Sequence, residues 1–167
     1  YDTHGNKIEE EATTNYLGSS YKHTWKYDQN KNMIENVKYY YDFGKLKEKY
    51  SKKHGDKGTI LEEEEIRYKS NGFISRQYSN KYDIMGNKTE YNNWDNDRNE
   101  YRKESWKYDN TGSIIESAEF RYQADSSIVY KKIRQYKNDQ NGNWIERDVF
   151  ENDKPTYVVE REIQYFH

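Results

Sequence analysis

The sequence predicts an all-β fold: an antiparallel meander of strand–turn repeats near 14 residues each, forming an extended or spiral sheet that is largely one layer deep. Three observations predict it. A turn motif, aromatic-Asp-x-x-Gly-Asn-x-Ile/Thr-Glu, recurs along the chain. Its anchoring tyrosines come round at a fixed step or twice that step. No segment of useful length carries a helical hydrophobic period.

The motif is clearest from Tyr82 to Glu90, and returns from Tyr1 to Glu9 and from Tyr108 to Glu116. Its chemistry is that of a turn. Aspartate at the first turn position accepts a backbone N–H two residues on, and glycine at the fourth takes a positive φ without a Cβ penalty. A type I turn followed by such a residue is the three-residue hairpin loop closed by a G1 bulge. Other copies are degenerate. Tyr27–Asn32 has Lys31 in the glycine place, Tyr41–Gly44 is one residue short, and Tyr68–Gly72 lacks the aspartate. Tyr122–Ser126 lacks both aspartate and glycine, and Tyr136–Asn143 carries two extra residues. The anchoring tyrosines fall at 1, 27, 41, 68, 82, 108, 122 and 136, with Trp94 and Phe150 near the vacant places.

With turns as boundaries, about twelve strands follow. The first spans 6–16 and is turned by Leu17-Gly18-Ser19-Ser20; the second, 21–27, sets His23, Trp25 and Tyr27 on one face by the period of two. Strands at 32–41 and 45–50 lead to 51–58, read as the longest and most basic loop. Then come 59–68, 73–82, 87–94, 99–108, 113–122, 127–136, 143–150 and 156–166. Ile8, Ile34, Thr89, Ile115 and Ile145 form a column read as buried; Glu9, Glu35, Glu90, Glu116 and Glu146 form the next, facing Lys and Arg across strands.

Composition fits one domain over 1–167. The net charge of -2 supplies no field for nucleic acid. Aliphatic residues are scarce, but 19 Tyr and 4 Trp supply apolar area and argue against disorder. There is no cysteine and no apolar run of membrane-spanning length, so neither a thiolate metal site nor membrane insertion is expected. The chain starts at Tyr1, inside a repeat, which reads as a trimmed or processed form and leaves room for export.

Tyr-Asp-x-x-Gly-Asn at 1–6 and 82–87, with weaker copies at 27–32, 41–44 and 108–113, resembles the YD repeats of the RHS-like proteins, which are extracellular or secreted bacterial proteins with animal relatives. The resemblance implies a spiralling β-sheet used as a shell or scaffold, an extracellular, cell-surface or periplasmic location, and in some members carbohydrate binding. It implies no catalytic residues and no cofactor.

The candidate chemistry is sparse. His4, His23, His54 and His167 show no metal or catalytic spacing. Glu62 to Glu65 offer carboxylates for a glycosidase pair, or simply a solvated strand beside the basic segment. The turns 95–99 and 139–143 carry oxygen ligands on alternate residues, as calcium or ordinary Asx turns require. The feature with functional promise is aromatic. Tyr21, Trp25 and Tyr27, with Trp106 and Tyr108, are expected to form a platform for sugar rings, unless these rings are the core. The expected function is a non-catalytic module binding a glycan or a protein partner; the alternative is a structural scaffold. Exposed sheet edges make self-association an expectation.

Overall fold

The computed structural model describes residues 1–13, 18–55 and 58–165. The far end of the expected first strand, with Leu17, lies outside the described residues, as do Asp56, Lys57, Phe166 and His167.

Twelve strands are described: β1 (Glu9–Thr13), β2 (Ser19–Tyr27), β3 (Met33–Asp42), β4 (Lys45–His54), β5 (Ile60–Tyr68), β6 (Ile74–Tyr82), β7 (Lys88–Asp95), β8 (Glu100–Tyr108), β9 (Ile114–Tyr122), β10 (Ile128–Asn138), β11 (Trp144–Glu151) and β12 (Lys154–Glu160). They lie in one sheet in sequence order, each antiparallel to the next. The sheet is an open meander, so β1 and β12 each keep one unpaired edge.

The turn motif folds as its chemistry dictates. Asp83 N–H donates to the Asn87 carbonyl at 2.9 Å, and Gly86 N–H to the Asp83 carbonyl at 3.0 Å. The same two bonds close the turns at 2–6, 28–32, 55–59, 69–73, 109–113, 123–127 and 139–143. The fourth turn position is left-handed in all of them, from φ 66° at Ser126 to 86° at Gly86.

Two expectations about the turns change. The segment 51–58 is not a long loop: β4 runs on to His54, and Gly55–Thr59 is another copy of the turn. Lys52 and Lys53 are strand residues, facing Glu63 and Glu62 across the ladder. Likewise Tyr136–Asn143 has no inserted turn residues; β10 is longer, and Asn138 takes the place tyrosine holds elsewhere.

The turns also sort by edge. Those at 2–6, 28–32, 55–59, 83–87, 109–113 and 139–143 share one edge, called here the aspartate edge. The other edge is mixed: two-residue turns at Phe43-Gly44 and Asn152-Asp153, glycine and serine versions at 69–73 and 123–127, and a turn on Asp95 at 96–99. The faithful repeat is therefore a hairpin, which explains the doubled tyrosine steps in the sequence.

Little is buried. Among the described residues the buried apolar side chains are Val37, Ile66, Ala118 and Val149. The isoleucine column is not core: Ile8, Ile34, Ile115 and Ile145 are 37–40% exposed, because a single layer has no second sheet to cover them. The glutamate column pairs as charge dictates. Each aspartate-edge hairpin carries one lysine opposite one glutamate: Lys26–Glu35 at 2.5 Å, Lys53–Glu62 at 2.7 Å, Lys81–Glu90 at 2.9 Å, Lys107–Glu116 at 2.8 Å and Lys137–Glu146 at 2.6 Å. These rungs form a ladder beside the turns, across strands whose side chains would otherwise offer little to fix their register.

Candidate functional site

The expected aromatic platform divides into two equivalent places. Tyr21, Trp25 and Tyr27 lie on β2, and Trp106 and Tyr108 on β8, six strands away and on the same face. Strand spacing puts the two groups about 29 Å apart along the sheet before any curvature. Each tyrosine is tied to the preceding turn: Tyr27 donates its hydroxyl to the Lys7 carbonyl at 3.3 Å, and Tyr108 to the Lys88 carbonyl at 2.7 Å. Each tryptophan carries that same lysine over its ring, Lys7 at 5.5 Å from Trp25 and Lys88 at 5.6 Å from Trp106. Asn138 repeats the tie without a ring, donating to the Ile114 carbonyl at 3.0 Å. Tyr21 pairs with Tyr40 and lines a different groove with Phe43. His23 stacks on Trp25 at 3.7 Å; burial, with the Lys38 charge, holds it below its ordinary value, so the pair presents a neutral surface.

The most distinctive cavity lies elsewhere, on the opposite face. A cross-strand row runs Ile66, Gln77, Trp94, Tyr101, Tyr122 from β5 to β9. Tyr101 and Tyr122 stack with centroids 4.9 Å apart, and Phe120 lies 6.3 Å from Tyr122. Above this row is a groove of about 540 Å³ lined by Gln77, Ser79, Asn92, Trp94, Asn99, Tyr101, Gln123, Ala124 and Ser126. No Asp, Glu, Lys, Arg or His lines it, in a chain that is 35% charged. The reverse face at the same place is charged, with Arg76, Arg98, Arg102 and Arg121 beside Asp95 and Glu100.

The groove's polar groups are fixed by one another. Tyr101 donates its hydroxyl to Asn92 Oδ1 at 2.7 Å, and Asn92 Nδ2 donates to Ser79 Oγ at 3.1 Å and Glu90 Oε1 at 2.9 Å. Gln77 gives its amide N–H to Glu64 at 2.8 Å, leaving its carbonyl oxygen as an acceptor. Burial pushes the Tyr101 phenol up, so it stays a neutral donor. A flat indole beside oriented amides and hydroxyls can stack an apolar ring face and bond its rim.

Sequence reasoning missed this groove because its residues come from three hairpins. Trp94 stands where a tyrosine would fill the period, and only the cross-strand register brings Tyr101 and the turn at 123–127 to it.

The other candidates are absorbed by structure. Lys53 and Lys52 hold Glu62 and Glu63 at 2.7 and 2.8 Å, Lys49 stands 3.7 Å from Glu64, and Arg67 holds Glu65 at 2.7 Å. The Lys52 hydrogen bond holds Glu63 below the usual carboxylate range, opposite to what a general acid needs. Asp95 accepts the N–H groups of Asp97 and Arg98 at 3.0 and 3.2 Å and faces Arg76 at 3.1 Å. Asp139 accepts the N–H groups of Asn141 and Asn143, each at 2.9 Å. Among the described residues no three His, Cys, Asp or Glu side chains come together as metal ligands, and no helix is long and apolar enough to cross a membrane.

No protein-family description matches the chain, and no curated protein sequence matches it.

Proposed function

We propose that the protein is a non-catalytic β-repeat module that binds an uncharged glycan on the groove around Trp94 and Tyr101. The observation that carries this reading is the groove's lining: indole, phenol, amides and hydroxyls, without a charged side chain. A neutral sugar loses little on leaving water if its hydroxyls meet oriented amides, and an indole face suits its C–H surface. The test is titration with gluco-, manno-, galacto- and xylo-hexaoses, comparing the natural chain with Trp94→Ala. Binding of one of them, with its stoichiometry or affinity reduced in a Trp94→Ala variant of unchanged circular dichroism, supports the reading. Binding of the same stoichiometry and affinity in Trp94→Ala, or no binding to any hexaose, contradicts it.

A scaffold role is the second reading, favoured by a specific observation: Tyr27 and Tyr108 spend their hydroxyls tying each hairpin to the one before it. On this reading the module is one stretch of a larger YD-repeat-like assembly, exported to a bacterial surface. The unpaired edges of β1 and β12 give it a route to self-association. Light scattering at rising concentration tests that route; a monomer throughout counts against it.

A further inference from the structure

The last aspartate turn holds an occupant that its fellows lack. At Asp2, Asp28 and Asp83 the carboxylate Oδ2 accepts the amide N–H of the asparagine four residues on, at 2.8, 3.1 and 3.0 Å. At Asp139 a hydroxyl stands between the two groups: Tyr165 donates to Asp139 Oδ2 and accepts from Asn143 Nδ2 at 2.8 Å. The Asp–Asn pair thus acts as a clamp for one hydroxyl, with the carboxylate as acceptor and the amide as donor.

One clamp opens onto a groove with an indole wall. Between the turns at 83–87 and 109–113 lies a groove of about 400 Å³ lined by Asp83, Asn87, Thr89, Trp106, Tyr108 and Thr111, among others. Tyr108 is committed to the Lys88 carbonyl, and Lys88 caps Trp106, so the indole is held in place. A polyhydroxylated ring laid on Trp106 would put one hydroxyl where Tyr165 puts its own at the last turn.

We infer that the groove at Trp106 is a second binding site, for a hydroxyl-rich ring, in which Asp83 and Asn87 grip one ligand hydroxyl between them. The inference rests on the glycan reading for its ligand class, but the site lies on the other face from Trp94 and can fail alone.

The test uses the full chain labelled with 5-fluorotryptophan, whose four indoles give separate fluorine resonances assignable by Trp→Phe replacement. It is titrated with the same four hexaoses. The expected result is that a hexaose moving the Trp94 resonance also moves that of Trp106. Asn87→Ser should then weaken the Trp106 response about fivefold, as loss of one neutral hydrogen bond implies, while Trp94 is unchanged. Serine is the residue of choice because the turn at 109–113 carries Ser113 there and keeps both closing bonds. A Trp94 response without a Trp106 response overturns this inference and leaves the first site standing. A Trp106 response that Asn87→Ser does not weaken overturns the clamp. Silence at both contradicts both.

Discussion

Asp83 Oδ1 accepts the backbone N–H of Asn87 at 2.9 Å while Oδ2 takes the amide of the same residue at 3.0 Å. With a further bond from Met85 N–H at 2.9 Å, one half-buried carboxylate satisfies three donors that the turn would otherwise leave to water. Replacing Asp83 by Ala should therefore lower the melting temperature more than Asp125→Ala. At that turn Asp125 accepts from Ser127, through its N–H at 2.9 Å and its hydroxyl, and does not bridge the first and fifth residues of the turn with both oxygens as Asp83 does. Thermal unfolding of the two variants checks the order; equal losses would mean the carboxylate bonds contribute nothing.

Acid should unfold the protein through these same groups. Hydrogen bonds from the residue four places on hold Asp2, Asp28 and Asp83 below the usual aspartate value. Thr111 does so for Asp109 and Tyr165 for Asp139. Burial opposes ionisation of Glu90, but bonds from Lys103, Asn92 and Lys81 outweigh it and hold it at about 2. A folded-state value below the unfolded one adds stability that is present above about pH 4 and lost as pH falls through the folded value. Stability should be level at neutral pH and fall from about pH 4 towards pH 2. Urea midpoints across that range check it.

Lys31 occupies a left-handed position, φ 67°, that glycine holds in six of the eight equivalent turns. Lys31→Gly should stabilise by about 0.5–1 kcal/mol, the steric relief being partly offset by the freer unfolded chain. Gly86→Ala should destabilise by about 1–2 kcal/mol through backbone strain alone, since nothing lies within 4 Å of its added Cβ. Chemical denaturation of both variants reads the two signs.

Lys81 and Lys103 converge on Glu90 from the strands on either side, at 2.9 and 2.6 Å. The pair with Lys81 is partly exposed and should be worth at most about 1 kcal/mol, less in high salt. Glu90→Lys should therefore be costly, since it sets three lysines together, and so should Lys81→Glu, which stands between Glu62 and Glu90 and sets three carboxylates together. The double exchange should recover only part of the loss, because Lys103 still faces a lysine. A double-mutant cycle at low and high salt measures this.

Much of the fold was legible because the turn is local chemistry: Asp-x-x-Gly names its own hydrogen bonds, and the lysine and glutamate flanking it announce their rung. The isoleucine column misled because periodicity reports which face a side chain takes, and says nothing of whether a second layer covers that face. Gly55–Gly58 was hidden by lysines that looked like a loop but are strand residues with glutamate partners. Trp25 and Trp106 were visible as repeats of one another, yet their distance required the strand order. The Trp94 groove was illegible for the same reason: Gln77, Tyr101 and Gln123 meet only through register.

The central claim is that faithful turns line one edge, two strands apart, while sequence-adjacent turns lie at opposite edges. The cysteine-free chain allows nitroxide labels to be placed singly and in pairs. Labels at the turn tips Met85 and Asn110 should be about 10 Å apart plus their linkers, whereas labels at Asn71 and Met85, separated by the whole of β6, should be about 30 Å apart. Electron paramagnetic resonance distances in that order are the expected result. A shorter distance between Asn71 and Met85 than between Met85 and Asn110 would contradict the account.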